Sequence, residues 1–179
     1  MKILNTFFKK RSLIICGIIP FLLFSCFDSD EVDFDKQLEE DLTTIDQYLS
    51  DHSIVPLNDS TKQIRYIIHQ SGSGEIPQLD SCITANFAGK LLEDGFTFTS
   101  GTGYAFPMSG DIIEGWKLII PLLHEGDFVT FYIPSGLAYG PSGIPDENIP
   151  PNANVLFNFE LLHVGKTYSQ SPSPAGSCD

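Results

Sequence analysis

The chain has 179 residues, with 23 acidic against 10 basic side chains, a formal charge of −13 and 42% apolar composition. So acidic a chain repels phosphate backbones, which argues against nucleic acid as a partner. The length accommodates one domain plus appendages, and the scattered His52, His69, His124 and His163 lack the Cys or carboxylate companions of a metal site.

The chain opens with a basic cluster, Lys2, Lys9, Lys10 and Arg11, followed by an apolar stretch of 12 residues from Leu13 to Phe24. A membrane-spanning helix needs ~20 residues, so this stretch reads as the core of a secretory signal. Leu23-Phe24-Ser25-Cys26 then resembles a bacterial lipobox. In such a motif the Cys thiol takes a diacylglyceryl group, and cleavage leaves it as the new N-terminus. Phe24 is bulkier than the usual residue there. An ordinary signal peptide cut nearby, or an uncleaved anchor, is the alternative. Residues 1–25 are thus expected to be a lipoprotein signal peptide, with Cys26 lipidated. That would tie the protein to a membrane without spanning it. The expected location is the cell envelope, lipid-anchored at the outer membrane, facing the periplasm or the surface. Loss of the leader leaves 6 basic residues against 23 acidic ones, a charge of −17.

Residues 26–59 read as an acidic tether and an amphipathic helix. Asp28, Asp30 and Glu31 resemble the surface-export signals of Bacteroidetes-type lipoproteins; a solvated spacer is the plainer reading. Phe34, Leu38, Leu42, Ile45 and Leu49 recur at helical spacing and form one apolar stripe, with Glu39, Glu40, Asp41 and Asp46 on the remaining surface. Asp33 or Asp35 is placed to cap the start. The stripe must be buried, either on its own domain, the expected case, or in a homodimer through residues 34–49.

After a linker from Pro56 to Lys62, strand patterns run over Gln63–Gln70, Ser81–Leu92 (interrupted at Gly89) and Phe96–Thr99. Gly72-Ser73-Gly74 and Glu93-Asp94-Gly95 are turn signals between them. Gly115–Leu123 reads as a short helix bent by Pro121, ending in a cap at Gly126. Phe128–Ile133 and Asn154–Val164 are further strands. Residues 167–179, rich in Ser, Pro and Gly, read as a flexible tail. Cys82 lies in an apolar strand pattern and Cys178 in this tail. The simpler reading is a buried inert thiol and a tail thiol; a disulfide between them is the alternative open to an exported protein. The element order predicts an α+β domain, an antiparallel sheet with one helix laid across it.

Residues 60–166 carry a series of short motifs in fixed order: Gly72-Ser73-Gly74, Asn86-Phe87-Ala88-Gly89, Leu92-Glu93-Asp94-Gly95, Phe98, Phe106, and Ile112-Ile113-Glu114-Gly115-Trp116. They continue with Gly126, Ile133-Pro134, Leu137-Ala138-Tyr139-Gly140, Ile149-Pro150-Pro151-Asn152-Ala153 and Leu156-Phe157-Asn158-Phe159-Glu160-Leu161. No one of these is specific, but together and in order they resemble the FKBP-type peptidyl-prolyl isomerases.

That resemblance implies a curved antiparallel β-sheet wrapping one short α-helix, preceded here by the N-terminal amphipathic helix. It implies cis-trans isomerisation of X–Pro bonds in Pro-containing polypeptides, with no cofactor and no metal. By the same resemblance Trp116 is the floor on which a proline ring rests. Phe98, Tyr104 or Phe106, Ile112, Ile113 and Phe157 form the walls. The Ile113 backbone N–H and the Tyr139 hydroxyl donate to carbonyls of the bound peptide, and Ile144 and Ile149 lie on an overhanging loop. Each aromatic, taken singly, reads equally well as core.

Two positions depart from the family pattern. Phe87 stands where Tyr is usual, and Thr99 where Asp is usual. Both remove a polar function from the pocket wall, and each lost hydrogen bond is worth ~0.5–1.5 kcal/mol. The expectation is an isomerase of reduced or retuned activity. The alternative is a weakly or non-catalytic module that binds a Pro-containing envelope partner.

Overall fold

A computed structural model describes residues 34–59, 61, 63–166, 168–169 and 177–178. The segments expected to be a signal peptide, a lipidation site at Cys26 and an acidic tether, with most of the tail, lie outside these described residues.

Strict alternation of side chains along the strands builds a two-faced sheet. The elements are helix α1 (Phe34–Asp51), strands β1 (Leu57–Asn58), β2 (Arg65–Gln70), β3 (Cys82–Leu91) and β4 (Thr97–Pro107), and helix α2 (Glu114–Ile119). Strands β5 (Phe128–Ile133), β6 (Val155–Gly165), β7 (Tyr168–Ser169) and β8 (Ser177–Cys178) follow. Six strands form one antiparallel sheet in the order β1-β2-β5-β6-β3-β4. Register shifts at Ile68/Gln70, Thr84/Ala85, Ala85/Phe87 and Gly89/Lys90 bend the long strands, the local effect of a bulge.

One face of the sheet wraps α2. Ile83, Ala85, Phe131, Ile133, Val155, Phe157 and Phe159 pack there with Trp116, Ile119, Ile120 and Leu123. The opposite face carries α1. Ile45 and Leu49 pack on Leu92, Tyr132 and Leu156, whose side chains point away from the main core. The inner part of the α1 stripe is therefore covered by its own domain, while Phe34 at its start is exposed. Arg65 of β2 reinforces the docking with a two-pronged ion pair to Asp46, Nε–Oδ1 2.8 Å and Nη2–Oδ2 2.9 Å.

Several local expectations shift. Gly89 does not break its strand; it lies within β3. The strand expected over Phe96–Thr99 continues to Pro107, through Gly101 and Gly103. Helix α2 stops at Ile119 and tightens into a 3-10 turn, Ile120–Leu122, around Pro121, whose ring cannot continue the α pattern. Gly126 is thus not the helix cap. It turns the chain into β5 with φ +95°, and its N–H donates to the Leu161 carbonyl. The simpler reading of the cysteines is overturned: Cys82 and Cys178 form a disulfide, with Cα atoms 5.5 Å apart. Periodicity could not reveal this, because the pairing depends on where the last residues of the chain return.

Candidate active site

The site grows from one irregular junction. Strand β4 ends at Pro107, and Met108–Ile113 carries the chain across the sheet into α2. The Ile112 N–H bonds back to Gly110, 3.0 Å, and Ile113 holds an extended backbone as the first helix-flanking residue. Among the described residues the Ile113 N–H donates to no acceptor, as expected for a residue ahead of the first helical turn. Three residues on, Trp116 lies 7% exposed beneath the junction.

Phe87, Thr99, Asp111, Ile112, Ile113, Trp116, Tyr139 and Phe157 line a cavity of ≈ 220 Å³. Its floor is an aromatic box: Trp116 meets Phe87 at 5.2 Å and Phe157 at 5.1 Å between ring centroids, both edge to face. Phe98 stands behind the wall, edge-on to Tyr139 at 5.5 Å and to Phe157 at 5.7 Å. Phe106 supports Trp116 from below at 5.3 Å and is buried. Tyr104 is 42% exposed and meets the box at its edge, through Phe87 at 6.0 Å and Phe106 at 6.3 Å. Ile144 and Ile149 do not line the cavity. They close the 144–149 loop through reciprocal backbone bonds of 2.9 and 3.0 Å, and Ile149 is buried in the core.

Gly89 makes the box possible. A Cβ there would come within 2.5 Å of Phe157 Cε1, 2.8 Å of Phe98 Cζ and 2.8 Å of Thr99 Cγ2. The three walls thus close over a backbone that has no side chain of its own.

The site is mainly apolar and poor in charge. Burial, together with the negative charge of Glu147, pushes the Tyr139 hydroxyl up to about 12. Tyr139 therefore stays protonated and able to donate, and its hydroxyl forms no hydrogen bond among the described residues. The Trp116 Nε1–H is buried without a partner among the described residues. Asp111, exposed on the cavity wall, is the lining carboxylate that the sequence reading missed. Its signal was its position directly before Ile112-Ile113. A larger cavity of ≈ 480 Å³ lies against α1, but its lining mixes acids and amides with apolar side chains and lacks an aromatic box. The smaller one is lined mainly by aromatic and aliphatic side chains.

The family described as FKBP-type peptidyl-prolyl cis-trans isomerase matches residues 74–162. A probable FKBP-type isomerase, FkpA, of Neisseria meningitidis is 40% identical over 106 residues, covering 57% of this chain and 38% of that protein. The chain thus spans well under half the length of that relative. FK506-binding protein 1 of Kluyveromyces lactis is 36% identical over 97 residues, 51% of this chain and 83% of the relative. A crystal structure of a peptidyl-prolyl cis-trans isomerase from Pseudomonas syringae pv. tomato superposes with a TM-score of 0.60 at 25% identity, covering 70% of this chain and 94% of that one. Fold, motif order and sequence agree: the chain belongs to the family of FKBP-type peptidyl-prolyl cis-trans isomerases.

Proposed function

We propose that this protein catalyses cis-trans isomerisation of X–Pro bonds in polypeptides outside the cytoplasm. The observation that carries this is the aromatic box over Trp116, flanked by two donors, the Ile113 N–H and the Tyr139 hydroxyl. Rotation about the X–Pro amide faces a barrier of ~18–20 kcal/mol set by resonance. No nucleophile is required. A cavity that binds the twisted amide better than either planar form lowers the barrier. The twisted amide has less resonance and a smaller dipole, so a dry aromatic box penalises it less than the planar forms. Donors on two sides then hold the peptide carbonyls part-way round. In this reading Phe98, Ile113, Trp116, Tyr139 and Phe157 act on the reacting bond. Phe87, Thr99, Tyr104, Phe106 and Ile112 shape the substrate's surroundings, with Ile144 and Ile149 holding the adjoining loop.

The test is isomerisation of a Phe-Pro tetrapeptide by the chain beside Trp116→Ala. Catalysis lost in the variant is the expected result; equal catalysis by both would remove the box from the mechanism.

Thr99 and Phe87 favour a second reading, a binding module of low turnover. Phe87 offers no hydroxyl and Thr99 no carboxylate, so ground state and transition state are held mainly by apolar contact. In that case Thr99→Asp raises turnover several-fold without tightening binding in proportion.

Envelope location belongs to the same proposal. Cys26 lipidation would supply the anchor, with residues 1–25 removed and residues 60–166 as the catalytic domain. The Cys82–Cys178 disulfide suits an oxidising compartment. A dimer through residues 34–49 would have to use Phe34 and the half-buried Leu38 and Leu42, since Ile45 and Leu49 are already covered.

A further inference from the structure

Helix α1 lies outside residues 74–162, the stretch matched by the family, yet it reaches the turn that carries Tyr139. The reach is made by one side chain. Asp41 is 2% exposed, whereas Asp35, Glu39, Glu40, Asp46 and Asp51 of the same helix are exposed. Its Oδ2 accepts from the Ser135 backbone N–H at 2.8 Å and from the Ser135 hydroxyl at 2.6 Å, and its Oδ1 accepts from Gln37 Nε2 at 2.8 Å. Among the described residues no cation pairs with it. A buried carboxylate held only by neutral donors is costly, and it persists where its hydrogen bonds are complete.

Ser135 is fully buried and opens the 3-10 turn Ser135–Leu137. The turn continues through the Leu137 N–H to Pro134 and the Ala138 N–H to Ser135, both 3.0 Å, and delivers Tyr139 at its end. The Leu137 carbonyl also packs on Gly115, next to Trp116. Ser135 is thus linked through one turn to both Tyr139 and the floor of the cavity. Asn154 Oδ1 also accepts from the Ser135 N–H, at 3.1 Å, but offers nothing to its hydroxyl.

We propose that Asp41 is a positioning residue for the isomerase pocket: from α1 it fixes the Ser135–Leu137 turn and so aims the Tyr139 hydroxyl. The proposal rests on the isomerase reading above. A merely structural pin would hold α1 on the sheet and leave the pocket's chemistry alone.

The two are separated by a double-mutant cycle in the full chain. Turnover of a Phe-Pro tetrapeptide is measured alongside its binding, read from Trp116, the chain's single tryptophan. Asp41→Ala lowers kcat/KM about tenfold, the scale of a lost charge-assisted hydrogen bond. In a Tyr139→Phe background the same change costs less than about twofold, because the group being aimed is already gone. Asp41→Asn, which keeps an acceptor, recovers part of the loss. Should Asp41→Ala not fold, Ser135→Ala removes only the hydroxyl donor and lowers kcat/KM about threefold, again only while Tyr139 is present. Wild-type turnover in folded Asp41→Ala, or a loss that persists in full in Tyr139→Phe, would overturn the proposal. A wild-type chain that binds the peptide without turning it over would instead remove the isomerase reading, and the same cycle is then read on binding.

Discussion

Tyr139 is the pocket residue whose ionisation carries a pH signature. Its hydroxyl, pushed up to about 12 by burial and by Glu147, must be protonated to donate. Catalysis should therefore be flat from about pH 5 to about pH 10, where an ordinary tyrosine would begin to ionise. Because the folded value is raised, the associated stability is fully present below the unfolded value and fades only as pH rises toward about 12. A kcat/KM profile that bends near neutrality would show that some other titrating group takes part. Gly89 carries a second residue-scale prediction. Its Cβ would meet three wall side chains at 2.5–2.8 Å, so Gly89→Ala must push Phe98, Phe157 or Thr99 outward. Overpacking of this kind costs ~1–3 kcal/mol. The expected outcome is a folded chain with an altered Trp116 emission and a clear loss of peptide turnover. Unchanged turnover would mean that the walls relax without disturbing the box.

At the scale of elements, what was legible depended on local pattern. The α1 stripe, the Glu93-Asp94-Gly95 hairpin, the apolar run of β5 and the alternation of β6 are each encoded in their own few residues, and each formed where expected. The extent of β4 was not legible, because Gly101 and Gly103 read as loop. Gly101 in fact lies against the Phe87 ring, where a Cβ would come within 2.6 Å. Ile144 and Ile149, expected on a loop that overhangs the pocket, pair with each other through their backbones, and Ile149 faces inward; neither the pairing nor the burial could be read from local pattern. Asp41 looked like one more solvated acid, for its partner Ser135 is 94 residues away. The disulfide was illegible for the same reason. It joins β3 to β8 across 96 residues, and constraining so long a loop stabilises the fold by about 2–4 kcal/mol. Cys178→Ser should accordingly lower the denaturant midpoint while leaving peptide turnover intact, because neither cysteine lines the cavity. A midpoint equal to that of the wild type, measured under oxidising conditions, would show that the bond does no stabilising work.

For the whole molecule, the charge of −13 is uneven in its consequence for the pocket. The cavity itself holds one carboxylate, Asp111, while the 144–149 loop adds Asp146 and Glu147, both exposed, and Glu147 lies close enough to act on Tyr139. Lys117, the basic residue of α2, is engaged by Glu114 at 2.6 Å. An unfolded client approaching the mouth therefore meets negative potential and little to offset it. Such a field acts on encounter and on the weakly bound complex more than on the twisting step. Peptides with Lys beside the proline should show a higher kcat/KM than otherwise identical peptides with Glu, by about threefold at low salt, the worth of an exposed charge pair. The ratio should approach unity near 1 M salt, where the screening length falls to about 3 Å. Asp111→Asn should narrow it at low salt while leaving turnover of an uncharged peptide close to wild type. A preference that survives high salt would place the discrimination in direct contacts within the aromatic box, and the acidic surface would then serve solubility alone.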